Sequence, residues 1–314
     1  MVAAYRTFYS ASITGLLDAE LIQALPKSWR YLAHCGAGYD QIDVEACSRR
    51  VPPLLISNVP VAVDDATADT GMFLLLGALR NFNTPMANLR RGEFRGARTP
   101  PLGHDPEGKV LGILGMGGIG QNMAKKAAAF GMTIIYHNRR EVNASQVNGA
   151  EYVSFEDLLR RSDVLSLNLP LNSRTRHMIS REQFAMMKQT AVVVNTSRGA
   201  IIDEAALVHA LDKGIIAGAG LDVFEDEPRV HLGLLTNDRV ILLPHLGTYT
   251  FETLVGLFSL ATPDMSSLLW RADTLPQEKM EEWAIDNLRL ALETGKLKSP
   301  IFEQEHLTTE EGGL

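Results

Sequence analysis

Arg198, Glu227 and His245 are residues of this 314-residue chain whose types suit anion binding and proton transfer. An arginine can clamp a carboxylate through two parallel hydrogen bonds. A histidine can hand a proton to an oxygen that is gaining negative charge, and a neighbouring carboxylate orients the ring and favours its protonated form. Glu227, in FEDEP just after Asp222, is a candidate for that carboxylate. Taken singly, each has a plainer reading. Glu225-Asp226-Glu227 reads equally as a solvated acidic loop, and a lone histidine is usually structural. His177 and His209 sit on turn or helical surface with no comparable convergence and are set aside.

A second constellation could hold a phosphate-bearing ligand. Gly115-Met116-Gly117-Gly118-Ile119-Gly120 has the G-x-G-x-x-G spacing, with the apolar run KVLGIL before it and an Ala-rich helical stretch after it. That context turns a weak motif into a dinucleotide loop: a tight turn at Gly115, close approach of backbone amides at Gly117, close packing at Gly120, and a helix N-terminus for the pyrophosphate. An NAD site places an acid about 20 residues on. Here Tyr136-His137-Asn138-Arg139-Arg140 ends the next strand instead. Guanidinium groups can fork onto a 2′-phosphate that a carboxylate would repel. NADP(H) is therefore the preferred cofactor, NAD(H) stays open, and a solvated basic turn is the plainer alternative.

These residues need strand ends to carry them. Apolar runs at 109–114, 133–138, 163–169, 191–196, 216–222 and 239–243 alternate with helical stretches at 121–131, 154–161, 180–188 and 203–214. Strands that are apolar throughout are buried on both faces, which implies a parallel, doubly wound α/β sheet. Ligands of such sheets bind beyond the carboxyl ends of the strands, where each candidate above falls. Before residue 109 the pattern changes: a strand and Gly-rich turn at 30–43, a long helix at 64–82, and a turn-rich arm at 90–109. A last helix is expected over 278–295. A smaller domain built from both chain ends follows from this arrangement.

Composition removes other classes. Lys and Arg number 30 against 37 Asp and Glu, a net charge of −7 without a basic stripe, which disfavours nucleic-acid binding. No apolar run approaches the length of a membrane span. MVAAYRTFYS has neither the apolar core of a signal peptide nor a transit pattern. Cys35 and Cys47 read as small buried hydrophobes in a reducing compartment, with the cytosol as the default and no metal site indicated.

The chain resembles the D-isomer-specific 2-hydroxyacid dehydrogenases, and within them the glyoxylate/hydroxypyruvate reductase group. The stretches that carry the resemblance are CGAGYDQID (35–43), LGILGMGGIG (111–120), VVNTSRGAIIDEAAL (193–207), GLDVFEDEP (220–228) and LLPHLGT (242–248). It implies a Rossmann domain plus a smaller flavodoxin-like substrate domain, with the site in a cleft. It places the catalytic triad on Arg198, Glu227 and His245, and substrate binding on Ala37, Gly38, Arg198 and His245. Cofactor contacts fall on Gly115, Gly117, Gly118, Ile119, Gly120, Asn138, Arg139, Arg140, Leu169, Pro170, Thr175, Thr196, Asp222 and Gly247, with Asp222 orienting the nicotinamide amide. A homodimer is implied, joined through the first long helix and the arm near 82–105. The reaction implied is hydride transfer from NADPH to a short 2-oxo acid. A non-catalytic dinucleotide sensor or scaffold on the same fold is the alternative.

Two departures from the family pattern stand out. Residues 1–63 and 277–314 form the expected substrate domain, but the family's first strand and helix precede its counterpart of residues 1–10. The dinucleotide domain is expected over 64–253, and 254–276 then has no family counterpart. Joining Thr253 to Gln277 gives one uninterrupted helical stretch, whereas the 23 intervening residues bring Gly256, Pro263, Pro276 and exposed Leu, Phe and Trp. We read this segment as a translated intron of 69 nucleotides, three per residue. Closing a loop of this length costs only about 1–2 kcal/mol; unburied apolar side chains are the larger cost. Deleting 254–276 is expected to raise the melting temperature and the solubility. A lower melting temperature would refute a foreign segment, and a predominant transcript containing the 69 nucleotides would refute the intron.

Overall fold

The computed structural model describes residues 2–7, 10–94, 101–254 and 279–309. The segment 254–276 therefore lies outside the described residues except for Leu254, which ends a short helix, Phe251–Leu254. The chain divides into two compact units, Met1–Val63 with Thr248–Leu314, and Asp64–Gly247.

The first unit holds three parallel strands in the order β1 (Ala3–Thr7), β2 (Tyr31–Cys35) and β3 (Leu55–Ser57). β2 is central and buried along its whole length. Leu32 and Ile56 pack with Ile22, Cys47 and Ile301, while Tyr31 and Leu55 pack with Ala291 and Leu297. Ala291 comes from the helix Lys279–Thr294, so the late segment covers the early strands. Gln304, fully buried, ties the two ends together: its Oε1 accepts the Ile56 N–H at 2.7 Å and its Nε2 donates to Leu54 O at 3.0 Å. The two cysteines are unpaired and buried, as the composition leads one to expect.

The second unit is built on seven parallel strands: β4 (Val110–Leu114), β5 (Thr133–His137), β6 (Glu151–Tyr152), β7 (Val164–Leu167), β8 (Val192–Asn195), β9 (Gly218–Leu221) and β10 (Val240–Leu242). Their order is β10-β9-β8-β7-β4-β5-β6. Alternation of the Cβ direction explains why these strands are apolar throughout. Val193, Leu165 and Leu167 point into one core, with Leu158, Phe184 and Leu207 from the helices on that face. Val192, Val194 and Val164 point into the other, with Leu75, Met123 and Ala127. The helices begin where side chains take the orphan N–H groups of their first turns. Ser154 accepts from Asp157 N at 3.0 Å, and Asp203 from Ala206 N at 2.9 Å. Ser180 and Gln183 form a capping box. Strand order reverses between β4 and β7, and the two loops leaving these strands mark the crevice where doubly wound sheets bind ligands. Among the described residues no helix is long and apolar enough to cross a membrane.

Candidate active site

The glycine-rich loop leaves β4 at this reversal. Gly115 has φ +100°, and a Cβ there would lie 2.5 Å from Asn168 O in the loop after β7. A Cβ at Gly120 would overlap Gly115 O, so the helix Gly118–Ala129 can start this close to the strand only with glycine at both positions. Gly117 occupies the N-cap with no side-chain acceptor, and the space beside it is open. First-turn N–H groups without a side-chain cap fit a pyrophosphate, and Gly118 and Ile119 begin that turn. One acid abuts the loop. The Asp64 carboxylate packs against Gly118, and burial pushes its pKa up, toward the neutral form that a phosphate tolerates.

At the end of β5, Asn138 does something its position in the sequence does not announce. Its Oδ1 accepts the Met116 N–H at 2.8 Å, so the side chain braces the glycine loop. Arg139 and Arg140 follow as exposed residues. Leu169 and Pro170 leave β7, and the buried Thr175 closes their turn by donating to Pro170 O at 2.7 Å. Thr196 is buried at the end of β8.

Arg198 is held in a tight turn after β8. Asn195 Nδ2 donates to Arg198 O at 2.9 Å, and the Arg198 guanidinium donates to Ser197 O at 2.8 Å. Beyond β9, Phe224 donates its N–H to Glu227 Oε1 at 3.0 Å, which leaves Glu227 Oε2 to meet His245 Nδ1 at 2.8 Å. A carboxylate only accepts, so Nδ1 carries the proton of this bond. Burial pushes the Glu227 carboxyl up. The His245 bond, the Phe224 N–H and the charges of His245 and Arg198 outweigh it and leave the carboxyl below the ordinary carboxylate value. The side chains are 33% exposed for His245 and 28% for Glu227, so solvent screens part of this attraction.

His245 has φ +56°, a conformation that β-carbon-bearing residues seldom adopt. The buried Asp222 holds it there. The Asp222 carbonyl accepts the His245 N–H at 2.7 Å, and its carboxylate oxygens accept from Leu246 N at 2.6 Å and Gly247 N at 2.8 Å. Ala37 and Gly38 lie in the first unit, after β2. Asn58 Nδ2 donates to Ala37 O at 2.8 Å and His34 Nε2 to Gly38 O at 3.0 Å, which fixes that loop from its carbonyl side.

Two groups near the catalytic strip were not apparent from the sequence. His177, set aside above, reaches Glu225 at 2.5 Å, as Arg176 does at 3.0 Å. Glu204 is buried and accepts the Glu225 N–H at 2.6 Å. Both depend on contacts between distant parts of the chain.

A glycine loop on a parallel sheet beside an arginine and a carboxylate–imidazole pair defines a nicotinamide-dependent oxidoreductase. Residues 72–247 match the family described as D-isomer specific 2-hydroxyacid dehydrogenase, NAD binding domain. The 4-methyl-2-oxopentanoate reductase A of Aspergillus oryzae (strain ATCC 42149 / RIB 40) is 50% identical over 303 residues, spanning 96% of this chain and 84% of the relative. The crystal structure of a glyoxylate reductase from Paecilomyes thermophila is 49% identical with a TM-score of 0.85, covering 97% of this chain and 84% of that one. The NADPH-dependent glyoxylate/hydroxypyruvate reductase of Sinorhizobium meliloti, solved with NADP and malonate, is 30% identical with a TM-score of 0.80, covering 96% and 84%. The chain belongs to the D-isomer specific 2-hydroxyacid dehydrogenase family. It is an NAD(P)-dependent enzyme that moves a hydride to a 2-oxo acid, and the sensor or scaffold alternative is not favoured.

Proposed function

We propose that this enzyme reduces short 2-oxo acids such as glyoxylate and hydroxypyruvate with NADPH, using Arg198, Glu227 and His245. The observation that carries this reading is the 2.8 Å bond between Glu227 Oε2 and His245 Nδ1, with the other Glu227 oxygen held by the Phe224 N–H. That arrangement fixes the imidazole through Nδ1 and compensates the charge of an imidazolium, as a general acid requires. When bound, the nicotinamide supplies the hydride. Arg198 binds the substrate and polarises its oxo group, and His245 delivers the proton from Nε2 to the resulting oxygen. The amides of Ala37 and Gly38 are assigned to the substrate carboxylate. Turnover of glyoxylate, hydroxypyruvate and 4-methyl-2-oxopentanoate with each of NADPH and NADH tests the reading. Failure with all three acids would end it.

Arg139 and Arg140 carry the proposed preference for NADPH. A hydrogen bond to a charged group is worth about 1.5–3 kcal/mol, so one good guanidinium–phosphate contact gives about a 10- to 150-fold preference. Arg139→Ala or Arg140→Ala is expected to erode that ratio by weakening NADPH and sparing NADH. Equal kcat/KM with both cofactors in the parent would refute it.

The assembly we infer is a homodimer. Phe82, Met86, Leu89 and Phe94 are exposed along and beside the helix Asn83–Arg90. Apolar residues gathered on one surface helix favour a protein contact. Sedimentation in solution reads the oligomeric state directly. The unpaired Cys35 and Cys47 suit the reducing cytoplasm.

A further inference from the structure

We propose that Glu204 is a positioning residue of this active site: its buried carboxylate holds the loop that carries Glu227 and, through Glu227, sets the aim of His245. Glu204 is the first residue of the helix Glu204–Asp212, whose N-cap, Asp203, already satisfies the Ala206 N–H. The helix therefore has its cap without Glu204. The side chain is 7% exposed, and its Oε1 accepts the Glu225 N–H at 2.6 Å. The His231 ring lies near enough to the same carboxylate to favour its charged form. Glu225 lies two residues before Glu227, so this carboxylate holds the start of the loop that carries it.

The cost of placing a carboxylate here marks it as more than a helix former. Burial pushes its pKa up, and the nearby Glu225 charge adds to this, against the Glu225 N–H and the His231 ring, which pull it down. A buried carboxylate is tolerable where hydrogen bonds replace its water. A first-turn acid gains from the helix dipole at the surface as well, so the dipole does not call for burying it. What Glu204 adds is acceptance at Glu225.

Two further contacts give the clasp its reach. A Cβ on Gly199 would overlap the Phe224 carbonyl carbon, so the backbone next to Arg198 lies directly on the backbone that leads to Glu227. Glu204 begins the helix that follows Arg198-Gly199, and it grips the residue after Phe224. The Arg198 and Glu227 segments are thereby locked to each other, and Phe224 N–H then fixes Glu227 Oε1. On its outer side Glu225 is held by Arg176 and His177. Loss of the Glu204 carboxylate would let the 225–231 loop shift, with His245 losing a partner of fixed position.

The proposal rests on the reading of Glu227 as the partner that orients His245, and the experiment separates the two. Glu204→Ala, Glu204→Gln, Glu227→Gln and the double variant Glu204→Ala/Glu227→Gln are compared in the full chain, with NADPH and the acid turned over fastest. Glu204→Ala is expected to lower kcat about 5- to 150-fold, the range that an unsatisfied buried N–H costs. NADPH affinity, read by fluorescence titration, is expected to stay at the parent value. Glu204→Gln keeps an amide oxygen that can accept the Glu225 N–H but loses the charge, and is expected to fall between. Adding Glu204→Ala to Glu227→Gln is expected to cost nothing more, because a residue that acts through another has nothing left to act on. Losses that simply multiply in the double variant would show a structural role and overturn the proposal. A slow Glu227→Gln beside parent-like Glu204→Ala and Glu204→Gln would overturn it alone. A Glu227→Gln enzyme with parent turnover would overturn the reading of Glu227 and the proposal with it. If Glu204→Ala does not fold, the same comparison is made with Glu204→Gln alone and combined with Glu227→Gln.

Discussion

His245→Gln is expected to lower kcat by about 10²- to 10⁴-fold, the contribution of a positioned general acid, while NADPH affinity stays near the parent value. Glutamine can donate a hydrogen bond from roughly the same place but cannot give up a proton, so binding and proton transfer separate in this variant. Glu227→Gln is expected to leave a weaker enzyme with a displaced pH profile. Glu227 is held below its ordinary carboxylate value of 4.5 and is therefore negative at neutral pH, where it stabilises an imidazolium across the 2.8 Å bond. Removing that charge takes away the anion that faces the ring, so the pH–rate profile of reduction is expected to change. The charge also bears on stability. A depressed carboxyl value means that the pair stabilises the fold above the unfolded carboxylate range, and that this contribution is lost as pH falls through the folded value. With about a third of each side chain in solvent, that contribution is small. An unchanged pH–rate profile in Glu227→Gln would remove Glu227 from the mechanism, and substantial turnover by His245→Gln would remove His245.

The parts of this site that were legible in the sequence are those set by local rules. Six apolar runs became β4, β5, β7, β8, β9 and β10, each within a few residues of its expected bounds, because a strand buried on both faces leaves a continuous apolar signature. Ser154 and Asp203 cap their helices, because capping depends only on neighbours three residues away. The two-residue strand β6 and the short helices Val44–Arg49 and Asn83–Arg90 escaped, being too short to display a period. Contacts across long separations escaped as well. Asn138 looked like a cofactor residue, and its bond to Met116, 22 residues away, has no sequence signature. His177 looked like surface, and only the fold brings it to Glu225, 48 positions on. Glu204 falls at the start of the helical stretch expected over 203–214, a place that carries no hint of the loop it grips.

Asp222→Ala is expected to damage both stability and turnover, because Asp222 is the residue that holds His245 in its unusual conformation. The family resemblance assigns Asp222 to the nicotinamide amide. Its two carboxylate oxygens, however, accept from Leu246 N and Gly247 N, and its own backbone is bonded to His245 N and Asn195 O. Alanine would keep the backbone bonds and leave two N–H groups without acceptors. At about 1–3 kcal/mol for each unsatisfied buried group, the fold would lose about 2–6 kcal/mol. A His245 at φ +56° that is no longer braced can relax toward ordinary backbone, and its ring then leaves Glu227. Turnover is expected to fall with it. Asp222→Asn keeps one acceptor and is expected to lie between. The charge supplies a separate signature. Burial lifts the Asp222 carboxyl above the usual carboxylate range, with the Leu246 and Gly247 N–H groups and His245 pulling only partly back. A raised folded value means that the fold binds this proton more tightly than the unfolded chain does, so the parent gives up stability as pH rises from the unfolded value through the folded one. Asp222→Asn lacks that titration. The gap in melting temperature between parent and Asp222→Asn is therefore expected to shift against the parent across that pH range. If Asp222 served the cofactor alone, Asp222→Ala without cofactor would melt at the parent temperature, and that result would separate cofactor orientation from the bracing of His245.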